Sequence, residues 1–202
     1  MKKIFSVLLM LAVMLTSTVV FAAFKEDITE GAKLDRYQRL AVALPMHFKS
    51  EATEPTLTEF TNIIFDASSR NSNRFIISYN DIANNIMRDT GVDIVSLQDE
   101  KSRQIYKENI AKYADAYVVV TTANNIQKTQ FFFEVFDAKT GELVYNLSIQ
   151  GGGLKKTSKD YGSACGDFYR KFDLAAKIQI KEAEKQAKLE KKKAKKNKNN
   201  ED

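Results

Sequence analysis

Residues 130–149 read QFFFEVFDAKTGELVYNLSI, and the fold turns on them. Gln130 to Phe136 and Leu143 to Ile149 are two runs rich in β-branched and aromatic side chains. Asp137-Ala-Lys-Thr-Gly141 between them supplies a glycine-containing loop, so the pair reads as an antiparallel hairpin. Within the first run Phe131 and Phe133 fall on one face and Phe132 on the other. One face must enter the core. The other either meets a helix, as in sheets covered on both sides, or marks a contact surface.

Working outward, Tyr117-Val-Val-Val120 is a strand of the buried kind, and Leu40-Ala-Val-Ala-Leu44 is another, ended by Pro45. Thr56-Leu-Thr-Glu59 has capping-box spacing, with Leu57, Phe60, Ile63, Ile64 and Ala67 at helical intervals behind it, so a helix runs to about Ser69. Arg70 to Asn73 is turn chemistry and Arg74 to Tyr79 a strand. Asn80 is placed to cap a short helix that Gly91 stops, and a second helix covers Asp99 to Tyr113. After Gly151 to Gly153, Ser158 opens a last helix with Tyr161, Cys165, Phe168, Phe172 and Ala176 on one stripe. A strand–helix–strand unit together with a hairpin demands a mixed sheet. The expected fold is α/β (α+β), about five strands with flanking helices, in the order β-α-β-α-α-β-β-β-α plus a charged helical extension. Residues 23–37 have no sustained period and read as a lead-in arm, 38–180 as one domain, and 181–202 as a lysine-rich tail, helical and then disordered, with Glu184 spaced to pair with Lys188.

Charge divides sharply along the chain. The formal +5 comes from its two ends, since residues 4–180 carry 20 basic and 21 acidic groups. That near-neutral body gives no footprint for a nucleic-acid groove. One cysteine excludes an internal disulfide and one histidine excludes a histidine-rich metal cluster. At the amino end, Met1-Lys2-Lys3 precedes an apolar run from Ile4 to Leu15, and Val20 and Ala22 sit at cleavage-site spacing. Residues 1–22 therefore read as a secretory signal peptide cut after Ala22, with an uncleaved anchor over Ile4 to Ala23 as the alternative. Export places the chain in a periplasmic or extracellular setting.

Several phrases carry a family resemblance. Arg39-Leu-Ala-Val-Ala-Leu44, Asn73-Arg-Phe-Ile-Ile77, Tyr113-Ala-Asp-Ala-Tyr-Val-Val119 and Phe136-Asp-Ala-Lys-Thr-Gly-Glu-Leu-Val144 resemble, in order and spacing, segments of certain extracytoplasmic α/β modules. These are the amino-terminal domain of TolB, the curli secretion channel CsgG and LpoB. The similarity spans roughly residues 38–173, with Tyr113 in place of the usual glycine. A glycine-rich outer segment, long membrane strands and an amino-terminal lipid-accepting cysteine are missing, so channel formation is not implied. The resemblance implies an adaptor domain that binds other envelope proteins.

The chemical candidates have plainer explanations. Gly151-Gly-Gly153 lacks phosphate-loop spacing and reads as a strand-to-helix joint, with Lys155 and Lys156 beside it on a solvated face. Cys165 lies on the helix stripe as a buried hydrophobe, and His47, the base any Cys/His dyad would need, reads as a surface or hydrogen-bonded residue. Asp81, Asp89, Asp93, Asp99 and Glu100 lack calcium-loop spacing and serve as helix caps and solvated charges. Asn146-Leu-Ser148 is a formal glycosylation sequon inside a strand. No catalytic, cofactor or metal residues are therefore expected. The leading expectation is an exported, non-enzymatic module that binds or scaffolds another envelope protein. An alternative is a surface or polyanion binder acting through Lys191, Lys192, Lys193, Lys195 and Lys196, and an enzyme of unknown type is third.

Overall fold

The computed structural model describes residues 23–124, 128–152 and 156–198, the last six of these as helical backbone; residues 1–22, expected to be a signal peptide, lie outside them. Seven strands and four helices follow in the order β1 (Ala23–Ile28), β2 (Arg39–Val42), β3 (Met46–His47), α1 (Leu57–Asn71), β4 (Phe75–Ile77), α2 (Tyr79–Thr90), α3 (Asp99–Asn109), β5 (Ala116–Asn124), β6 (Lys128–Asp137), β7 (Leu143–Gly152) and α4 (Ser158–Lys198). One sheet runs β1-β7-β6-β5-β2-β4, with β3 also on β5. β2 is parallel to both β4 and β5, whereas β5, β6, β7 and β1 are successively antiparallel. The mixed sheet is as the sequence reading requires.

The strand count is corrected from five to seven. Residues 23–28, expected to be part of an arm without period, form an edge strand registered on β7 from Ala23 opposite Gln150 to Ile28 opposite Tyr145. As an edge it keeps residues 24–27 exposed and half-buries only Ile28, so no alternation marks it in sequence. The second addition, β3, is two residues long. Two caps also shift. Ser78 rather than Asn80 caps α2, accepting from the Asp81 amide, and Thr157 precedes α4 with its amide and hydroxyl both donating to Asp160.

Both faces of β2 are buried, which is why that strand alternates large and small apolar residues. Leu40 and Val42 join Phe60 and Ile64 of α1, Phe133 and Tyr145 of the hairpin, and Phe168 and Phe172 of α4 in one core layer. Ala41 and Ala43 face Ile82, Ile86, Tyr106 and Tyr117 in a second, under α2 and α3. Phe131 and Phe133 both enter the first layer. Phe132, Glu134, Asn146 and Ser148, on the other face of the hairpin, remain half-exposed, because the second layer takes only Phe136 and Ala138 from beyond β5 on that side.

A buried ion pair ties the far edge to the last helix. Arg74 Nε lies 2.8 Å from Asp173 Oδ1, with the two side chains only 6% and 9% exposed. The guanidinium also stacks over the Phe172 ring and donates to the carbonyls of Leu34 and Tyr37, while the Asn73 amide donates to the same carboxylate at 2.7 Å. Both carboxylate oxygens and the Nε and Nη1 of the guanidinium thus hold β4, the Leu34–Arg36 turn and α4 together. Asp173→Ala, which strands the buried cation, is expected to cost about 3–5 kcal/mol in urea unfolding, and pairing Arg74→Met with Asp173→Leu should recover most of it.

Candidate functional site at the carboxyl ends of the parallel strands

From β2 the chain crosses one face through α1 to β4, then returns over the opposite face through α2 and α3 to β5 on the other side of β2. Strand order reverses at this point, and open α/β sheets bind ligands in the crevice it leaves at the carboxyl ends. Here the chain occupies part of its own crevice, on the side of α1 and α4. Beyond Val42 it inserts one extra residue and resumes pairing on β5, with Met46 opposite Thr121 and His47 opposite Thr122.

His47 is consumed by this plug. Its Nε2 lies 2.8 Å from the Pro55 carbonyl, which only accepts, so Nε2 donates there, and Nδ1 lies 2.8 Å from the Thr122 hydroxyl. The ring packs against Phe60 and Tyr161. With both nitrogens bonded elsewhere, His47 has none left for a thiol. Cys165 is fully buried, and burial pushes its thiol pKa far up, away from the thiolate a nucleophile needs.

The loop after β3 folds back on a buried carboxylate. Glu54 is almost inaccessible; its Oε1 accepts from the Ser50 hydroxyl at 2.6 Å, and its Oε2 from Asn124 Nδ2 at 2.8 Å and the Tyr161 hydroxyl at 3.0 Å. Burial opposes ionisation of Glu54, but the bonds from Ser50, Asn124 and Tyr161 outweigh it and hold its carboxyl below the ordinary range. Lys156 is the main surprise. Expected on a solvated face, it is buried, with Nζ 3.0 Å from Glu51 and 3.7 Å from Glu54. Nothing local in the sequence announces this, because its partners lie about a hundred residues upstream.

Outside the plug, on the α3 side, a groove of about 290 Å³ is floored by Ala43, Tyr117 and Val119 and walled by Met46, Tyr106 and Arg103. The Arg103 guanidinium is anchored by the Pro45 carbonyl at 3.0 Å. Met46 stands 36% exposed at the rim, and two residues on Phe48 is 75% exposed. Sequence reading passed over both, since a lone apolar residue after a proline carries no pattern.

The remaining candidates are dispersed. Asp81 and Asp93 bond the first turns of α2 and of a short 3-10 turn, Asp89 accepts from the Tyr113 hydroxyl, and Asp99 and Glu100 open α3. Among the described residues no group of three or more His, Cys, Asp or Glu side chains is arranged to hold a metal. Gly151 and Gly152 belong to β7, and residues 153–155 lie outside the described residues. Lys191 and Lys192 are exposed on α4, whereas the side chains of Lys193, Lys195 and Lys196 lie outside the described residues.

No protein-family model and no curated protein matches the chain. Among solved structures it is similar to PelC from Paraburkholderia phytofirmans, solved as a dodecamer, at 10% identity and a TM-score of 0.44 over 75% of this chain and 97% of that one. The LpoB C-terminal domain from Escherichia coli gives 16% identity and 0.41 over 70% and 91%. TolB from Acinetobacter baumannii gives 12% and 0.36 over 76% of this chain and 31% of that one. At such scores the functional reading rests on this chain's own residues.

Two outcomes follow from the plug. The stability that Glu54 contributes is complete above its ordinary pKa of 4.5 and is lost as pH falls through the lower folded-state value. In urea unfolding, the stability gap between wild type and Glu54→Gln should therefore be wide at neutral pH and narrow in strong acid; a gap independent of pH would contradict the assignment. Cys165→Ala should cost about 1–2 kcal/mol through a small cavity, and the native thiol should resist labelling until the protein unfolds.

Proposed function

We propose that the protein is an exported, non-enzymatic module of the cell envelope that binds another protein through the ledge bearing Met46 and Phe48. The observation that carries this reading is a large aromatic side chain, Phe48, 75% exposed, on a loop pinned from beneath by Glu54 and two residues beyond Met46, which rims a groove lined by Ala43, Tyr117 and Val119 together with Glu100, Arg103 and Lys107. Exposed aromatics beside a pocket are the usual anchors of an interface, and a loop already held in place loses little entropy when a partner docks.

Three further features support it. β3 and His47 take up the part of the crevice that faces α1 and α4, so that what stays open at the carboxyl ends of β2 and β5 is the groove beside Met46. The sheet edges suit strand addition poorly: β1 carries Lys25, Glu26 and Asp27 in succession, and β4 is three residues long. The amino-terminal pattern addresses the chain for export, and among the described residues no helix is long and apolar enough to cross a membrane.

Amino-terminal sequencing of the protein recovered from the envelope should begin at Ala23; intact Met1 in the membrane fraction would favour the anchor. A photo-crosslinking residue at position 48 in living cells should give a discrete adduct that Met46→Asp abolishes, while the same residue at position 139, on the hairpin turn, should give none. Equal, diffuse labelling from both positions would sink the proposed ledge.

A further inference from the structure

Helix α4 carries two sequence patterns on opposite sides. Tyr161, Cys165, Phe168, Phe172 and Ala176 are buried against the sheet. Rotated half a turn away, Leu174, Ile178, Lys181, Lys185, Lys188 and Lys192 follow one another at intervals of three or four residues, all exposed. They form a straight row about 27 Å long at 1.5 Å per residue. Lys181, Lys185, Lys188 and Lys192 line one shallow hollow together with Leu189 and Glu184. Among the described residues the four lysines enter no ion pair, including the Glu184–Lys188 pair that spacing suggested.

We infer that this outer face of α4 is an attachment surface for an anionic lipid bilayer. The proposal goes beyond the protein-binding ledge and does not depend on it. Four unpaired ammonium groups in a row provide the charge complement to lipid phosphates. What selects a bilayer over a soluble polyanion is the apolar part of the same face: Leu174, Ile178 and Leu189 are each about half exposed. A polyphosphate leaves such side chains in water. A headgroup layer takes them up while the lysine stems bend their charges to the phosphates. The row lies on the side of α4 opposite the stripe that is buried against the sheet. The residues engaged are spread along the helix and begin well before the run of lysines at 191–196.

The test uses the full mature chain and sedimentation with vesicles of mixed phosphatidylglycerol and phosphatidylcholine against phosphatidylcholine alone. Binding should require the anionic lipid and fade as salt shortens the screening length. Reversing the row with Lys181→Glu, Lys185→Glu and Lys188→Glu should weaken partitioning at least about tenfold. An equal change of net charge on the body, Lys101→Glu, Lys112→Glu and Lys139→Glu, should weaken it by less than about threefold. Circular dichroism and thermal unfolding verify that both variants fold. Ile178→Ser with Leu189→Ser should lower vesicle binding while leaving retention on immobilised polyphosphate unchanged. The inference is overturned by any of three results: no binding to anionic vesicles at low salt, equal effects of the two charge reversals, or vesicle binding indifferent to the serine pair.

Discussion

The carboxylate of Glu54 is where three distant parts of the chain meet. Ser50 reaches it from the loop after β3, Asn124 from the end of β5, and Tyr161 and Lys156 from the start of α4. A carboxylate so buried survives only because each oxygen has donors, and removing one partner leaves the others paying a desolvation cost of several kcal/mol. With that cluster in place the loop closes over His47, β3 stays on β5, and the side of the crevice that faces α1 and α4 is filled. The same closure leaves Phe48 outside on a fixed support. One buried charge cluster therefore accounts both for the partly occupied crevice and for the exposed ledge.

Helix α4 shows how one continuous element serves two environments. Up to Ala176 its inner stripe is aromatic and aliphatic and meets the sheet, and Arg74 clamps it there through Asp173. From Lys181 onward no side chain with a described burial is sheltered, and the helix keeps going on the intrinsic preference of Ala, Glu, Lys, Gln and Leu. The body holds the helix at its root, so the outer row of lysines has a fixed orientation relative to the domain. A flexible tail of the same composition lacks that property.

Much of the fold was legible because its signals are local. The capping box at Thr56 and Glu59 forms as its spacing demands, the alternation of Leu40-Ala-Val-Ala-Leu44 matches a strand buried on both faces, and the Asp137 to Gly141 loop joins β6 and β7. Cys165 was placed in the core by helical spacing alone. The failures are nonlocal. β1 is an edge strand whose register comes from β7, so it needs no alternation of its own, and β3 is too short to carry a pattern. Lys156 reads as a surface lysine until the fold brings Glu51 and Glu54 to it. The candidate ledge was missed for the same reason: Phe48 is informative only once the loop that carries it is seen to be pinned.

The claim that matters most is that residues 46–55 form a rigid support rather than a loose connection. Amide hydrogen exchange on the native protein measures this directly, residue by residue. A pinned loop should exchange only with the slow openings that release the neighbouring ends of β5 and α4, and Glu54→Gln should speed its exchange far more than that of β6 or β7. Exchange of residues 46–55 at the rate of unstructured chain, unchanged by that substitution, would contradict the account.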